Sequence, residues 1–102
     1  MIQVENLPLC RAFYRDALML GNPEIDSNFL CRFRLAGGAS LMLEQVARRT
    51  APNPKWSWEP DDPQLVFENL RAFGYQLKKT TAAQRPVRVL QDPESNSVLL
   101  ME

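Results

Sequence analysis

Two stretches of this chain carry helical periodicity, and each is flanked in the same way, by one short extended stretch before it and three after it. The first opens at Asn6, a capping residue, runs through LPLCRAFYRDALML and closes at Gly21, with Pro8 tolerated in the first turn. Leu9, Phe13, Ala17 and Leu20 recur at spacings of four and three, Cys10 and Tyr14 widen the stripe, and Arg11 and Arg15 point elsewhere. The spacing predicts a helix near residues 7 to 20 with one face on something flat. The second stretch opens at Asp62, places Pro63 at the first helical position and runs through QLVFENLRAF to Gly74, predicting a helix near residues 63 to 73. Phe13, Leu18, Phe67, Leu70 and Phe73 are the expected core.

The extended stretches carry period-two patterns. IQVE precedes the first helix, and a short edge strand is expected near Ile25, within a turn-rich connection. FLCRFRLA and SLMLEQV follow, joined across Gly37-Gly38 as a hairpin. ARRTAPNPK, with two prolines, reads as an exposed connection. KWSWE then precedes the second helix, and YQLKKT, PVRVLQD and SVLLME follow it, the last two separated by the turn DPESN. The element order therefore repeats: an α+β chain of two βαβββ modules, one over about 1–46 and the other over about 55–102, with a linker at about 47–54. The halves share negligible sequence identity, so the duplication rests on element order and spacing. Each module makes a small sheet with a helix on its convex side, and two such units must meet to complete a curved mixed sheet around a cleft.

Composition narrows the chemistry. Twelve basic and twelve acidic side chains cancel, which removes the cationic footprint of a nucleic-acid partner. No histidine is present, so the usual triad base and the histidine metal motifs are absent. Cys10 and Cys31, in a chain with no hydrophobic leader or long apolar run, read as reduced, buried, small apolar residues of a cytoplasmic protein with no membrane partner. A chain of 102 residues has room for one small core, so a large cleft would be shared with a second copy.

The string AFYRDAL after a short strand, the GGASLMLEQ hairpin, the PDDPQLVFENLRAFG helix entry and the DPESNSVLLME ending resemble the vicinal oxygen chelate superfamily over nearly the whole chain, from about Val4 to Glu102. That superfamily includes glyoxalase I, extradiol dioxygenases, fosfomycin-resistance enzymes and bleomycin-resistance proteins. The resemblance implies the glyoxalase/bleomycin resistance fold. It also implies a divalent-metal site with one ligand on the first and one on the last strand of each module. Carried over, the last-strand positions fall at Glu44 and Leu99, and the first-strand positions fall at Lys55 and just ahead of Met1. One carboxylate is too few for a catalytic metal, which takes three protein ligands as a rule. The expectation is thus the metal-free, bleomycin-resistance-like branch, with no cofactor and no assigned catalytic residue.

Strand parity selects the residues that would line a ligand cleft. With Glu44 facing the cleft, Met42 and Ser40 join it, while Leu41 and Leu43 turn under the helix; Phe29, Cys31, Phe33 and Leu35 face the helix, leaving Arg32 and Arg34 on the other side. Lys55, Ser57 and Glu59 oppose Trp56 and Trp58, and Leu99 and Met101 share the cleft parity with Ser97. Arg32 and Arg34 either clamp an anion or pair with nearby carboxylates, and Glu44 is either a general base or the balancing charge for Arg32. Trp56 and Trp58 read as core residues rather than a stacking platform. Lys78-Lys79 reads as a charged edge strand. The expected function is small-molecule sequestration in a cleft shared by a homodimer whose interface includes the first and fifth strands. The alternatives are a metal-dependent glyoxalase-like lyase or dioxygenase and a vestigial dimerisation module.

Overall fold

A computed structural model describes residues 1–102, with the side chain of Ala36 set aside. The chain forms two compact units, Met1–Pro54 and Lys55–Glu102. The first contains β1 (Ile2–Val4), α1 (Leu7–Ala12, continued by π-helical turns over Phe13–Ala17), β2 (Ile25–Asp26), β3 (Leu30–Arg34) and β4 (Ser40–Gln45). The second contains β5 (Trp56–Trp58), α2 (Pro63–Ala72), β6 (Lys78–Ala82), β7 (Arg85–Gln91) and β8 (Ser97–Met101). The strand orders are β1-β4-β3-β2 and β5-β8-β7-β6, with β1–β4 and β5–β8 parallel and the other pairs antiparallel. The same topology thus occurs twice, as the duplicated βαβββ pattern required.

Capping sets the helix starts. The Asn6 side-chain oxygen accepts the Leu9 N–H at 3.2 Å, and that of Asp62 accepts the Leu65 N–H at 3.2 Å. The first helix differs from its predicted course near its end, because Leu18 N–H reaches back to the Phe13 carbonyl at 3.0 Å, a five-residue span. The wider turn rotates the helix phase. Leu7, Cys10, Tyr14 and Leu18 share one helical face at ordinary spacing and are buried with Phe13 and Ala17, while Leu9, about a third of a turn away, is 50% exposed and Leu20 only half-buried. The helix ends at Ala17 rather than near residue 20, and Met19 (φ 65°) and Gly21 (φ 79°) turn the chain away.

Beneath α1, the core of the first unit comprises Ile2 and Val4 of β1, Cys31 and Phe33 of β3, and Leu41 and Leu43 of β4. Tyr14 packs edge-on to Phe13, with ring centroids 4.8 Å apart, and lies 6.3 Å from Phe33. Phe29, expected on the helix side, is 72% exposed, because the β3 ladder starts one residue later. On the free edge of β1, the Asn53 side-chain amide bonds both the N–H (2.8 Å) and the C=O (2.7 Å) of Gln3. A residue from the expected linker thus stands in for a neighbouring strand.

In the second unit Val66, Phe67 and Leu70 of α2 are buried, as are Val87, Leu90, Val98 and Leu100 of the sheet. Arg88 lies over the Phe67 ring at 5.2 Å and pairs with Glu102 at 3.2 Å. Phe73, expected in the core, is 55% exposed: it is the C-cap residue, and the chain leaves the helix through Gly74 (φ 92°) before that side chain can join the stripe. The predicted strand YQLKKT is displaced: β6 starts at Lys78 and ends in a turn at Ala83 (φ 51°) and Gln84 (φ 63°). The β7–β8 turn is organised by buried Asp92, whose carboxylate accepts the N–H groups of Glu94 and Asn96, both at 2.8 Å, and the Asn96 side-chain amide at 2.9 Å.

Candidate functional site

Each sheet turns one face to the core under its helix, and strand register assigns side chains to rows on the opposite, more open face, where Val87 is nonetheless buried. In the first unit, Glu44 stands between Gln3 of β1 and Leu30 of β3, Met42 opposes Arg32, and Ser40 opposes Arg34. Arg32, Arg34, Met42 and Glu44 therefore share one face, with Met42 and Glu44 half-buried and Arg34 exposed. The pairing expected between Glu44 and Arg32 does not form. Glu44 Oε1 accepts the Gln3 side-chain amide at 3.2 Å, whereas Arg32 bonds Ser40 Oγ at 3.2 Å and lies 3.7 Å from Glu24. Arg34 pairs with the same Glu24 at 2.6 Å. The physical reason is the register, which places Arg32 one row from Glu44, while Glu24, just ahead of β2, reaches both guanidinium groups.

In the second unit Ser57 opposes Leu99, and Met101 lies beside Val87. Ser57 is exposed and Leu99 and Met101 are half-buried. Lys55 is exposed just ahead of β5, and Glu59, just beyond it, pairs with Arg85 at 3.0 Å. Trp56 and Trp58 oppose Val98 and Leu100, which puts them on the core side of the sheet, half-buried.

Sequence reasoning missed a pocket of about 300 Å³ in this unit, lined mainly by Tyr75, Gln76, Lys78, Val89, Leu90 and Gln91. It forms because β7 continues to Gln91 against β8 while β6 pairs with it only as far as Lys78–Val89. Residues 75–77 lie outside the sheet. Lys78, read from sequence as an edge charge, therefore borders a concavity, while Lys79 opposes Arg88 on the other face.

Cys10 and Cys31 are both buried and are not joined in a disulfide. Arg11 Nε lies 2.8 Å from Asp26 and donates to Cys31 Sγ at 3.1 Å. Burial pushes the Cys31 thiol up from its ordinary value, and the Arg11 contact opposes that shift in part. Such a thiol is a poor nucleophile.

The residues do not fit the metal site that the resemblance implies. Beside Glu44 the first strand supplies Gln3, and beside Leu99 it supplies Ser57; the first-strand positions that the resemblance implied fall ahead of Met1 and at Lys55. The donor set is one carboxylate already bonded by an amide, that amide, a hydroxyl and a hydrocarbon. Among the described residues no three His, Cys, Asp or Glu side chains are grouped to hold an ion. Among the described residues no helix is long and apolar enough to cross a membrane.

No family model and no curated protein matches the chain. Solved structures do. A glyoxalase/bleomycin resistance protein from Catenulispora acidiphila aligns with a TM-score of 0.79 at 18% identity, covering 99% of this chain and 92% of its own. A lactoylglutathione lyase from Agrobacterium tumefaciens aligns at 0.75 and 19% identity, covering 97% and 86%. The chain has the glyoxalase/bleomycin resistance fold. An integron cassette protein from the mobile metagenome of the Halifax Harbour sewage outfall has the same fold, with a TM-score of 0.77, 16% identity and coverage of 97% and 90%. At these identities the likeness concerns the glyoxalase/bleomycin resistance fold alone, which hosts proteins of different activity.

Proposed function

We propose that this chain is a metal-free, small-molecule-binding protein of the bleomycin-resistance type, acting in the cytoplasm as a homodimer that sequesters its ligand on the open sheet faces. The observation that carries the reading is the substitution of the implied metal positions. Glu44 is engaged by Gln3, and its counterpart in the second module is Leu99 beside Ser57. Those faces retain what binding needs, a half-buried apolar floor with a few polar groups, without the donors that Lewis-acid chemistry needs. The homodimer reading draws on β1 and β5, each paired on one side only. Because Asn53 occupies the Gln3 backbone, a second copy would meet β1 through side chains rather than by extending its ladder.

Calorimetric titration with a panel of neutral, cationic and anionic small molecules is expected to return binders at or below millimolar concentration, and elemental analysis to return no stoichiometric metal. No binder in any class would overturn the binding reading, and one bound metal per chain would overturn the metal-free one. Sedimentation at micromolar concentration is expected to give twice the 11.7 kDa chain mass. A monomer would defeat the dimer. Trp58→Arg then separates a core role, which unfolds the chain, from an interface role, which leaves a folded monomer.

A further inference from the structure

One register row crosses the open face of the second sheet from edge to edge: Ser57 of β5, Leu99 of β8, Val89 of β7 and Lys78 of β6. Its middle is hydrocarbon and its far end is a cation. The pocket opens at that cationic end, where Val89 and Lys78 line it together with Gln76 and Gln91. Gln91 also donates to Ser97 Oγ at 2.9 Å, which fixes its amide on the open face. Lys78 is the one charged residue lining the pocket. Elsewhere on the same face Glu59 and Arg85 neutralise each other at 3.0 Å, and Lys55 adds a second exposed cation. The uncompensated charge of the face is positive, although the whole chain is neutral.

We infer that the ligand of this face is a small amphipathic organic anion, its carboxylate or sulfonate held by the Lys78 ammonium and the Gln76 and Gln91 amides, and its hydrocarbon part laid on Val89 and Leu99. The inference rests on the small-molecule-binding reading above and adds the ligand's charge and orientation. A volume of about 300 Å³ suits a compact ligand. An ammonium bonded to a carboxylate in a half-enclosed site contributes enough to discriminate charge by about tenfold or more. Lys79, adjacent in sequence but on the opposite face, is a built-in control for non-specific attraction.

The test titrates the full chain with hexanoate, hexanol and hexylammonium, followed by calorimetry and by amide chemical shifts. Hexanoate is expected to bind about tenfold tighter than hexanol, with shifts centred on residues 76–78 and 89–91. Lys78→Gln is expected to remove that preference, and Lys79→Gln to leave it in place. Hexanol or hexylammonium binding as tightly as hexanoate, or equal losses in the two lysine variants, would overturn the anion assignment and leave the binding reading standing. Absence of binding by all three probes, and by every member of the wider panel, would overturn both.

Discussion

Gln3 stands directly across the parallel β1–β4 pair from Glu44 and donates its side-chain amide to Glu44 Oε1 at 3.2 Å. The contact gives this carboxylate a structural partner on a face where the resemblance implied a metal. Glu44→Ala deletes one half-buried hydrogen bond, so urea unfolding is expected to show a loss of about 0.5–1.5 kcal/mol. Excess chelator should leave the midpoint of both proteins unchanged. A chelator-induced drop confined to the wild type would mean that Glu44 holds an ion.

Asp92 is 4% exposed and its carboxylate receives three hydrogen bonds within the β7–β8 turn. Asp92→Ala strands the N–H groups of Glu94 and Asn96 and the Asn96 amide, and is expected to cost about 2–4 kcal/mol. Asp92→Asn keeps an acceptor for the backbone donors and should cost less. Equal losses in the two variants, measured by denaturant unfolding, would contradict this account.

Two phenylalanines of the second helical segment differ in fate. Phe67 is fully buried under Arg88, and Phe67→Ala is expected to cost about 3–5 kcal/mol. Phe73 is 55% exposed, and Phe73→Ala should stay within about 0.5 kcal/mol of wild type.

Alkaline stability should report the Cys31 thiol. Burial raises its folded-state pKa, so the unfolded chain loses the proton first and stability falls as pH rises past the ordinary thiol value of about 8.5. The contribution is intact below that value. Arg11 donates to the thiol sulfur at 3.1 Å, and the thiol faces the Asp26 carboxylate at 3.5 Å. Replacing Cys31 with Ala should flatten the slope of unfolding free energy above that pH, at some cost in packing. An unchanged slope would dissociate the thiol from the effect.

The β6–β7 turn places two side-chain-bearing residues, Ala83 and Gln84, at positive φ. Asn-Gly is the pair that this backbone favours. Ala83→Asn combined with Gln84→Gly is expected to stabilise the fold by about 1 kcal/mol, read as a higher urea midpoint at constant slope.

The caps at Asn6 and Asp62, the glycine that follows the second helix, and the face assignments of Glu44, Met42, Leu99 and Ser57 were legible in the sequence. A cap is satisfied three residues away, and strand parity is a property of the strand itself. Those local rules, applied twice in the same order, were sufficient for the duplicated architecture. They carried no information about which side chains become cross-strand neighbours. Gln3 meets Glu44 and Asn53 meets Gln3 across separations of 41 and 50 residues. Such pairings follow from how strands align against a shared core.

Tertiary structure alone decided the exceptions. The core took the Leu7–Cys10–Tyr14–Leu18 face of the first helix and left Leu9 exposed, and the early exit from α2 exposed Phe73. Glu24 reached Arg32 and Arg34 before Glu44 could. The pocket at Lys78 exists because one strand of a hairpin starts late while its partner is held on by β8. The alternation in YQLKKT reads as strand throughout. Whether a segment with strand propensity stays in the sheet depends on its neighbours, a balance of hydrogen bonds and burial that no single segment encodes.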